Sequence, residues 1–473
     1  MVFVGRKNEL ASLEAQYNSN RFELAIVYGR RRVGKTYLLN HFLAAHEGAY
    51  MVGLESGASN NLEALSQAVY RATGMIKAGE LQSTLPSFST ITAALTYLFK
   101  YSVDHRCIFI IDEYPYLAES IPSVSSELQA LVDAYKERSQ LMLILCGSSM
   151  SFMENQVLGY KSPLYGRRTA QYKIKPFTYI EARQMVPHLS YEDSAIAFGL
   201  TGGVAEYLSY FRDGDSLDES IISLFFTPTG RLVDEPSSLL RQELREPRQY
   251  NAILSAIAKG ASRNNEIATK VDMTTGALNN YLKSLIDLQI IEKIHPVGST
   301  SNKSIYAIKD SMYTFWYRFV EPNQGAIENF NGNLVYTQYV KPMLSHFMGS
   351  VFETMAEQYV QARIHCGTVP FLPQEMGHWW GTDSRTRQQV EIDLVALADI
   401  QKDPNAGPVR HLLVGECKWK NNPIGLDVLV SLKDKACVLH GELYYWLFSK
   451  RGFGFIEDNE RVELIDLPMM YEL

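Results

Sequence analysis

Between an apolar run, Leu24-Ala-Ile-Val-Tyr28, and a helical stretch, Tyr37-Leu-Leu-Asn-His-Phe-Leu, lies Gly29-Arg-Arg-Arg-Val-Gly34-Lys35-Thr36, a match to GxxxxGK[ST]. A strand that ends in such a loop and opens into a helix has one main use. Its glycines let backbone N–H groups wrap phosphate oxygens, and the helix N-terminus adds positive potential. Lys35 is placed to reach the β- and γ-phosphates, and the Thr36 hydroxyl to bind Mg²⁺. Gly29, Arg32, Val33, Gly34, Lys35, Thr36 and Tyr37 are therefore the expected nucleotide contacts. Two more five-residue apolar runs, Cys107–Ile111 and Leu141–Leu145, are too short for most helices. They fit strands buried on both faces of a parallel sheet covered by helices. The expected class is α/β.

The ends of those runs carry polar chemistry. Asp112 and Glu113 follow the second run, where Asp112 is suited to hold Mg²⁺ through water and Glu113 to polarise the attacking water. Cys146-Gly-Ser148-Ser149 ends the third. Ser148 stands where a γ-phosphate sensor belongs, though either serine would also serve as a helix cap. Arg167 and Arg168, in Leu164-Tyr-Gly-Arg-Arg-Thr169, are either arginine fingers acting across a subunit interface or members of an ordinary ion pair. Thr269-Lys-Val-Asp272 matches the guanine-reading [NT]KxD by composition alone. It lies in a helical stretch and not after a sheet strand, so ATP is the expected nucleotide.

Length and charge bound the rest. The 473 residues suggest two to four domains at roughly 100–200 residues each, and 46% hydrophobic with 21% charged residues is ordinary globular composition. With 45 Lys/Arg against 52 Asp/Glu, the net charge of −7 confines any nucleic-acid contact to a local patch. The five cysteines lie far apart without a CxxC pair, which excludes a zinc ribbon and points to reduced, buried thiols without disulfides. There is no signal-like N-terminus and no apolar run near the roughly 18–20 residues that span a bilayer. A cytoplasmic protein with no membrane segment is expected.

Beyond Pro247 the pattern changes. Residues 249–259 and 264–271 read as helices, and a third follows Thr275, with Leu278, Tyr281, Leu282 and Leu285 at i, i+3, i+4 and i+7. Ile290–Ile294 and Ser304–Ile308 read as strands joined by a flexible tip at 296–302. Three helices and a hairpin make a winged helix. Residues 241–310 hold 10 Lys/Arg against 7 Asp/Glu, a surplus of +3 in a chain of −7. If this module binds DNA, the helix at 275–288 offers Asn279, Asn280 and Lys283 to the major groove; such modules also dock proteins or act as lids.

Farther on, Gln389–Ala396 and His411–Trp419 read as strands separated by the turn-like residues 398–411, with Pro404-Asn-Ala-Gly407 suited to a reversal. A hairpin there brings Asp393 beside Glu416 and Lys418. Two metal-binding carboxylates and a lysine suit metal-dependent phosphodiester cleavage: the acids hold Mg²⁺ on the scissile phosphate, and the lysine orients water or stabilises developing charge.

This last pattern resembles the D…ExK core of the PD-(D/E)xK nucleases, and Glu353 occupies the helix position where relatives supply another acid. The whole chain is similar to a prokaryotic ATPase family, predominantly archaeal and related to AAA+ proteins. The similarity is carried in order by Phe3-Val-Gly-Arg6-Lys-Asn-Glu9-Leu, Tyr28–Thr36, Ile110-Ile-Asp-Glu113, Cys146–Ser149, Leu164–Arg168 and Leu200-Thr-Gly-Gly-Val-Ala-Glu-Tyr207. One departure is Val204-Ala205, where relatives often carry Val-Pro. The resemblance implies an Arg6 near the nucleotide. It also implies a P-loop core at 1–185, a helical lid at 186–244, a winged helix at 245–310, a connector at 311–340 and a restriction-endonuclease-like domain at 341–473. The expected function is ATP- and Mg²⁺-dependent control of DNA binding or cleavage by a homo-oligomer, in defence against foreign DNA. The rivals are an ATP-driven regulatory switch with an inert C-terminal domain, and an interaction scaffold.

Overall fold

The three apolar runs fold as strands with hardly an exposed side chain. The computed structural model describes residues 3–76, 85–244, 246–299, 304–401 and 407–473. Contacts divide the chain into two compact units, Met1–Pro176 with Val204–Glu206, and Phe177–Gly203 with Tyr207–Leu473.

In the first unit five parallel strands stand in the order β2-β3-β4-β1-β5: β1 (Glu23–Tyr28), β2 (Gly48–Val52), β3 (Cys107–Asp112), β4 (Leu141–Gly147) and β5 (Ala170–Lys173). Around them lie α1 (Lys7–Tyr17), α2 (Lys35–Leu43), α3 (Ala58–Ala72), α4 (Ile91–Tyr101) and α5 (Val124–Tyr135). Successive side chains of a strand point to opposite faces, and here both faces are covered. Leu24, Ile26, Phe109, Ile111, Leu143 and Leu145 pack with Leu65, Leu95 and Leu128 of α3, α4 and α5. Ala25, Val27, Ile108, Ile110, Met142 and Ile144 pack with Leu13 of α1 and Leu38 and Phe42 of α2. Burial on both sides is why these strands show no polar alternation. The edge strand β2 does alternate between buried and more exposed positions, while in β5 only Tyr172 is buried.

The second unit contains α6 (Pro247–Ala258), α7 (Asn264–Lys270) and α8 (Thr275–Asp287), followed by an antiparallel hairpin of β6 (Ile291–Ile294) and β7 (Ile305–Ile308). The Thr274 hydroxyl caps α8 by accepting the Ala277 N–H, and Leu278, Leu282 and Leu285 form its buried stripe. Residues 300–302 of the expected hairpin tip lie outside the described residues. The aromatic segment after 311 is helical and buried, with Trp316 Nε1 donating to the Val233 carbonyl at 2.7 Å.

A mixed sheet follows in the order β12-β11-β10-β9-β8. Its strands are β8 (Glu375–Thr382), β9 (Gln389–Ile400), β10 (Val409–Lys418), β11 (Glu442–Ser449) and β12 (Val462–Asp466), packed with α9 (Leu344–His365) and α10 (Leu426–Ala436). β8, β9 and β10 are antiparallel neighbours, whereas β10, β11 and β12 run parallel. The stretch 398–411 is not all turn: β9 continues to Ile400 and β10 starts at Val409, paired opposite it. Residues 404–406 of the expected reversal lie outside the described residues. The hairpin joins this sheet, because Val297 is buried among Ile392, Val395 and Leu397 and its N–H donates to the His378 carbonyl at 3.0 Å. No helix among the described residues is long and apolar enough to cross a membrane. All five thiols are free, but Cys366 and Cys437 are exposed and not buried as expected. Both follow the last residue of a helix, where the apolar stripe has ended.

Candidate functional site

The loop Gly29–Thr36 joins the carboxyl end of β1 to the first turn of α2, and two glycines make that junction possible. A Cβ on Gly29 would meet the Ile174 carbonyl oxygen at 2.3 Å, while Gly34, the N-cap of α2, sits in the left-handed region at φ 94°. Lys35 is buried, and its Nζ donates to the Gly29 and Arg30 carbonyls at 2.9 Å each, so the ammonium lies within the curve of the loop. Burial holds its pKa below the ordinary lysine range, with Glu113 and Asp112 opposing the shift in part.

Asp112 ends β3 and is itself buried. Its Oδ2 accepts the Thr36 hydroxyl at 2.8 Å and the Tyr50 hydroxyl, and its Oδ1 accepts the Glu113 N–H at 2.9 Å. Burial pushes this carboxyl up, but hydrogen bonds from Cys146, Tyr50, Thr36 and Glu113 outweigh it and leave the pKa below the usual range. Glu113 adopts φ 48°, and its Oε2 accepts the Ser148 hydroxyl at 2.8 Å and the Ser148 N–H at 3.3 Å. Ser148 therefore meets Glu113 and does not cap a helix. Ser149 is the N-cap residue of the short helix that follows, without a side-chain cap bond. The structure thus brings Lys35, Thr36, Asp112, Glu113 and Ser148 together at the carboxyl edge of one sheet.

Other expected residues hold the loop from outside. Arg6 is buried, and its guanidinium donates to the Val33 carbonyl at 3.0 Å and the Lys175 carbonyl at 2.6 Å. Arg32 pairs with Glu206 at 3.6 Å, and Tyr37 is exposed and stacks on Phe3. Arg167 makes a two-pronged pair with Asp133 at 2.9 and 2.6 Å, whereas Arg168 is exposed. Both precede β5, next to Thr169, whose N–H bonds the Leu24 carbonyl at the start of β1. The loop lies at the other end of β1, roughly 16 Å away at about 3.3 Å per residue.

A second cluster lies in the C-terminal sheet. Leu394 pairs with Gly415, and the Cys417 N–H donates to Asp393 Oδ2 at 2.8 Å, which sets Asp393 beside Glu416. Lys418 Nζ donates to Glu416 Oε1 at 2.6 Å. Glu353 joins from α9: burial, then Asp393 and Glu391, push its carboxyl up to about 8. Asp393 is also raised, by burial and by Glu416. Burial opposes the Lys418 ammonium, but Glu416 outweighs it and raises the pKa. The sequence reading missed Lys435, whose Nζ bonds both Glu416 oxygens at 3.0 and 2.9 Å. A signal existed, since Lys435 sits between Leu432 and Ala436 on the buried side of α10. Among the described residues no three His, Cys, Asp or Glu side chains converge as a ready metal site.

On α8, Asn280 and Lys283 are exposed as expected, but Asn279 Oδ1 accepts the Asn264 amide at 2.7 Å.

A parallel sheet, a phosphate-cradling loop on one strand and an acid pair ending another define a P-loop ATPase domain. Residues 3–211 match a family described as an ATPase domain predominantly from Archaea, and residues 316–435 one described as archaeal and bacterial proteins of unknown function. An uncharacterized protein of Methanocaldococcus jannaschii is 32% identical over 464 residues, 97% of this chain and 94% of that one. The chain belongs to this predominantly archaeal ATPase family. An uncharacterized ATP-binding protein of the same organism is 56% identical over 43 residues, 9% of this chain and 73% of its own. The Walker-type ATPase of Pyrococcus abyssi shares the fold, with a TM-score of 0.50 and 21% identity over 67% of this chain and 96% of that chain.

Proposed function

We propose that the chain is an ATP-hydrolysing switch whose second unit binds DNA and cuts it with Mg²⁺. The observation that carries the nucleotide part is the convergence of Thr36, Asp112, Glu113 and Ser148 beside the Lys35 loop. Phosphate oxygens would take the place of the carbonyls that now hold Lys35. Thr36 and Asp112 would hold Mg²⁺, which when bound neutralises charge on the phosphates. Glu113 would orient and deprotonate water, with Ser148 fixing its carboxylate. Arg6 keeps the loop in shape through Val33. Because Arg167 and Arg168 lie at the far end of β1 from the loop, a finger role is possible only toward a neighbouring copy, which favours a homo-oligomer. Arg168 is the better candidate, since Arg167 is committed to Asp133.

The DNA reading rests on the exposed face of α8 in a winged helix whose hairpin is already engaged. With Val297 buried in the sheet, the wing is an internal strut, and Asn280 and Lys283 are left to meet DNA. Lys283→Glu is therefore expected to weaken DNA binding and to reduce the slope of log affinity against log salt by about 1. An unchanged gel-shift titration across salt concentrations would make this module a protein dock.

For cleavage, Asp393 and Glu416 would hold the metal, Glu353 would stand by as a further acid, and Lys418 would act on water or phosphate. Asp393→Ala and Glu416→Ala are expected to abolish nicking of supercoiled plasmid while ATP hydrolysis persists. Lys418→Ala should abolish nicking and leave metal binding largely intact. Equal nicking by wild type and Asp393→Ala would end the nuclease assignment. One observation favours the second reading, a regulatory switch with an inert C-terminal domain: the Glu416 carboxylate is already engaged by two lysines. Absence of nicking by wild type in Mg²⁺ and in Mn²⁺, with ATP hydrolysis intact, would select it.

A further inference from the structure

The Thr36–Asp112 pair has a third member that no motif names. Tyr50 lies on the edge strand β2, two residues before Val52, which stands opposite Asp112 in the parallel register. Its hydroxyl donates to Asp112 Oδ2, the oxygen that also accepts Thr36 Oγ1 at 2.8 Å. With Glu113 N–H on Oδ1, both carboxylate oxygens are held by donors, and the group is 4% exposed. Any turn of that carboxylate would break at least one of these bonds. In this contact the phenol O–H is the donor, because an ionised carboxylate has only acceptor oxygens.

We propose that Tyr50 is a positioning residue of the nucleotide site, fixing the plane of the Asp112 carboxylate so that Thr36 and Asp112 present their oxygens to one divalent cation. If Thr36 turned its oxygen toward a divalent cation, the Tyr50 hydroxyl would remain as a donor to Oδ2. Groups that orient a metal-binding side chain in this way commonly change metal affinity by about 10–100-fold when removed. The inference rests on the reading that Asp112 and Thr36 face Mg²⁺.

The test is a Mg²⁺ titration of the full chain with trinitrophenyl-ATP as a fluorescent probe, alongside probe binding in EDTA. Tyr50→Phe keeps the ring and removes the donor. It is expected to raise the Mg²⁺ concentration for half-saturation about 10–100-fold and to leave affinity in EDTA unchanged. Tyr50→His, which restores a donor on a smaller ring, should recover part of the shift, and it carries the test if Tyr50→Phe folds poorly. An unshifted Tyr50→Phe beside a shifted Asp112→Asn would overturn the role of Tyr50 alone. If Asp112→Asn leaves the Mg²⁺ dependence unchanged, the metal reading falls and this inference falls with it. Equal shifts in Tyr50→Phe and Tyr50→His would assign the effect to the ring and overturn the hydroxyl's role.

Discussion

Lys35→Ala is expected to abolish tight ATP binding without unfolding the chain. The ammonium is 6% exposed and lies among neutral carbonyls, so it is the concentrated positive charge within the curve of the loop. Removing one partner of a buried, hydrogen-bonded charge pair costs about 2–5 kcal/mol, equivalent to a loss of affinity of about 30-fold to several thousand-fold. Alanine is the best helix former, and α2 keeps Leu38, Leu39 and Phe42 in its buried stripe, so the helix itself should persist. Isothermal titration with ATP measures the loss, and the thermal melt of the free chain checks the fold. Affinity within threefold of wild type would remove Lys35 from the phosphate site.

The second large effect concerns turnover. Glu113→Gln is nearly isosteric and keeps an oxygen to accept the Ser148 hydroxyl, so the end of β3 should hold its shape. What it loses is the ability to take a proton. Removal of a positioned general base typically costs about 10²–10⁴-fold, and kcat should fall by that factor. ATP affinity should stay near wild type, because Lys35, Thr36 and Asp112 are untouched. The two variants thus separate binding from chemistry: one fails to load nucleotide, and the other loads it and holds it. Their opposite signatures would not arise from a general loss of stability.

The parts of this fold legible in the sequence are those with strong local signals. Central strands β1, β3 and β4 announce themselves as unbroken apolar runs because both faces of the sheet are covered. The edge strands β2 and β5 were missed for the converse reason. Tyr50, half buried, and Gln171, exposed, interrupt their apolar residues. β8 was hidden by Gly377 and Gly381 and by a register shift between Gly377 and Trp379. The loop residues were legible because a phosphate loop needs a fixed spacing along one segment. Tyr50 was not, since it comes into its site through strand register across a long sequence gap, and Lys435, though its place on the buried side of α10 was readable, meets Glu416 only through helix packing. The same limit explains Asn279. Its place on the exposed face of α8 follows from helical periodicity, but its bond to Asn264 depends on how α7 crosses α8. It also explains Val297, whose burial by the C-terminal sheet is invisible in a turn of Pro, Val and Gly.

The constellation at the end of β3 is tested most directly by phosphate release from preloaded ATP. Wild type and Glu113→Gln would each be loaded with radiolabelled ATP in EDTA, freed of unbound nucleotide and mixed with excess Mg²⁺. Wild type should release phosphate promptly, while the variant should retain intact ATP over the same interval. Equal rates of release from the two proteins would contradict the assignment of Glu113, and with it the claim that Thr36, Asp112, Glu113 and Ser148 form the hydrolytic centre.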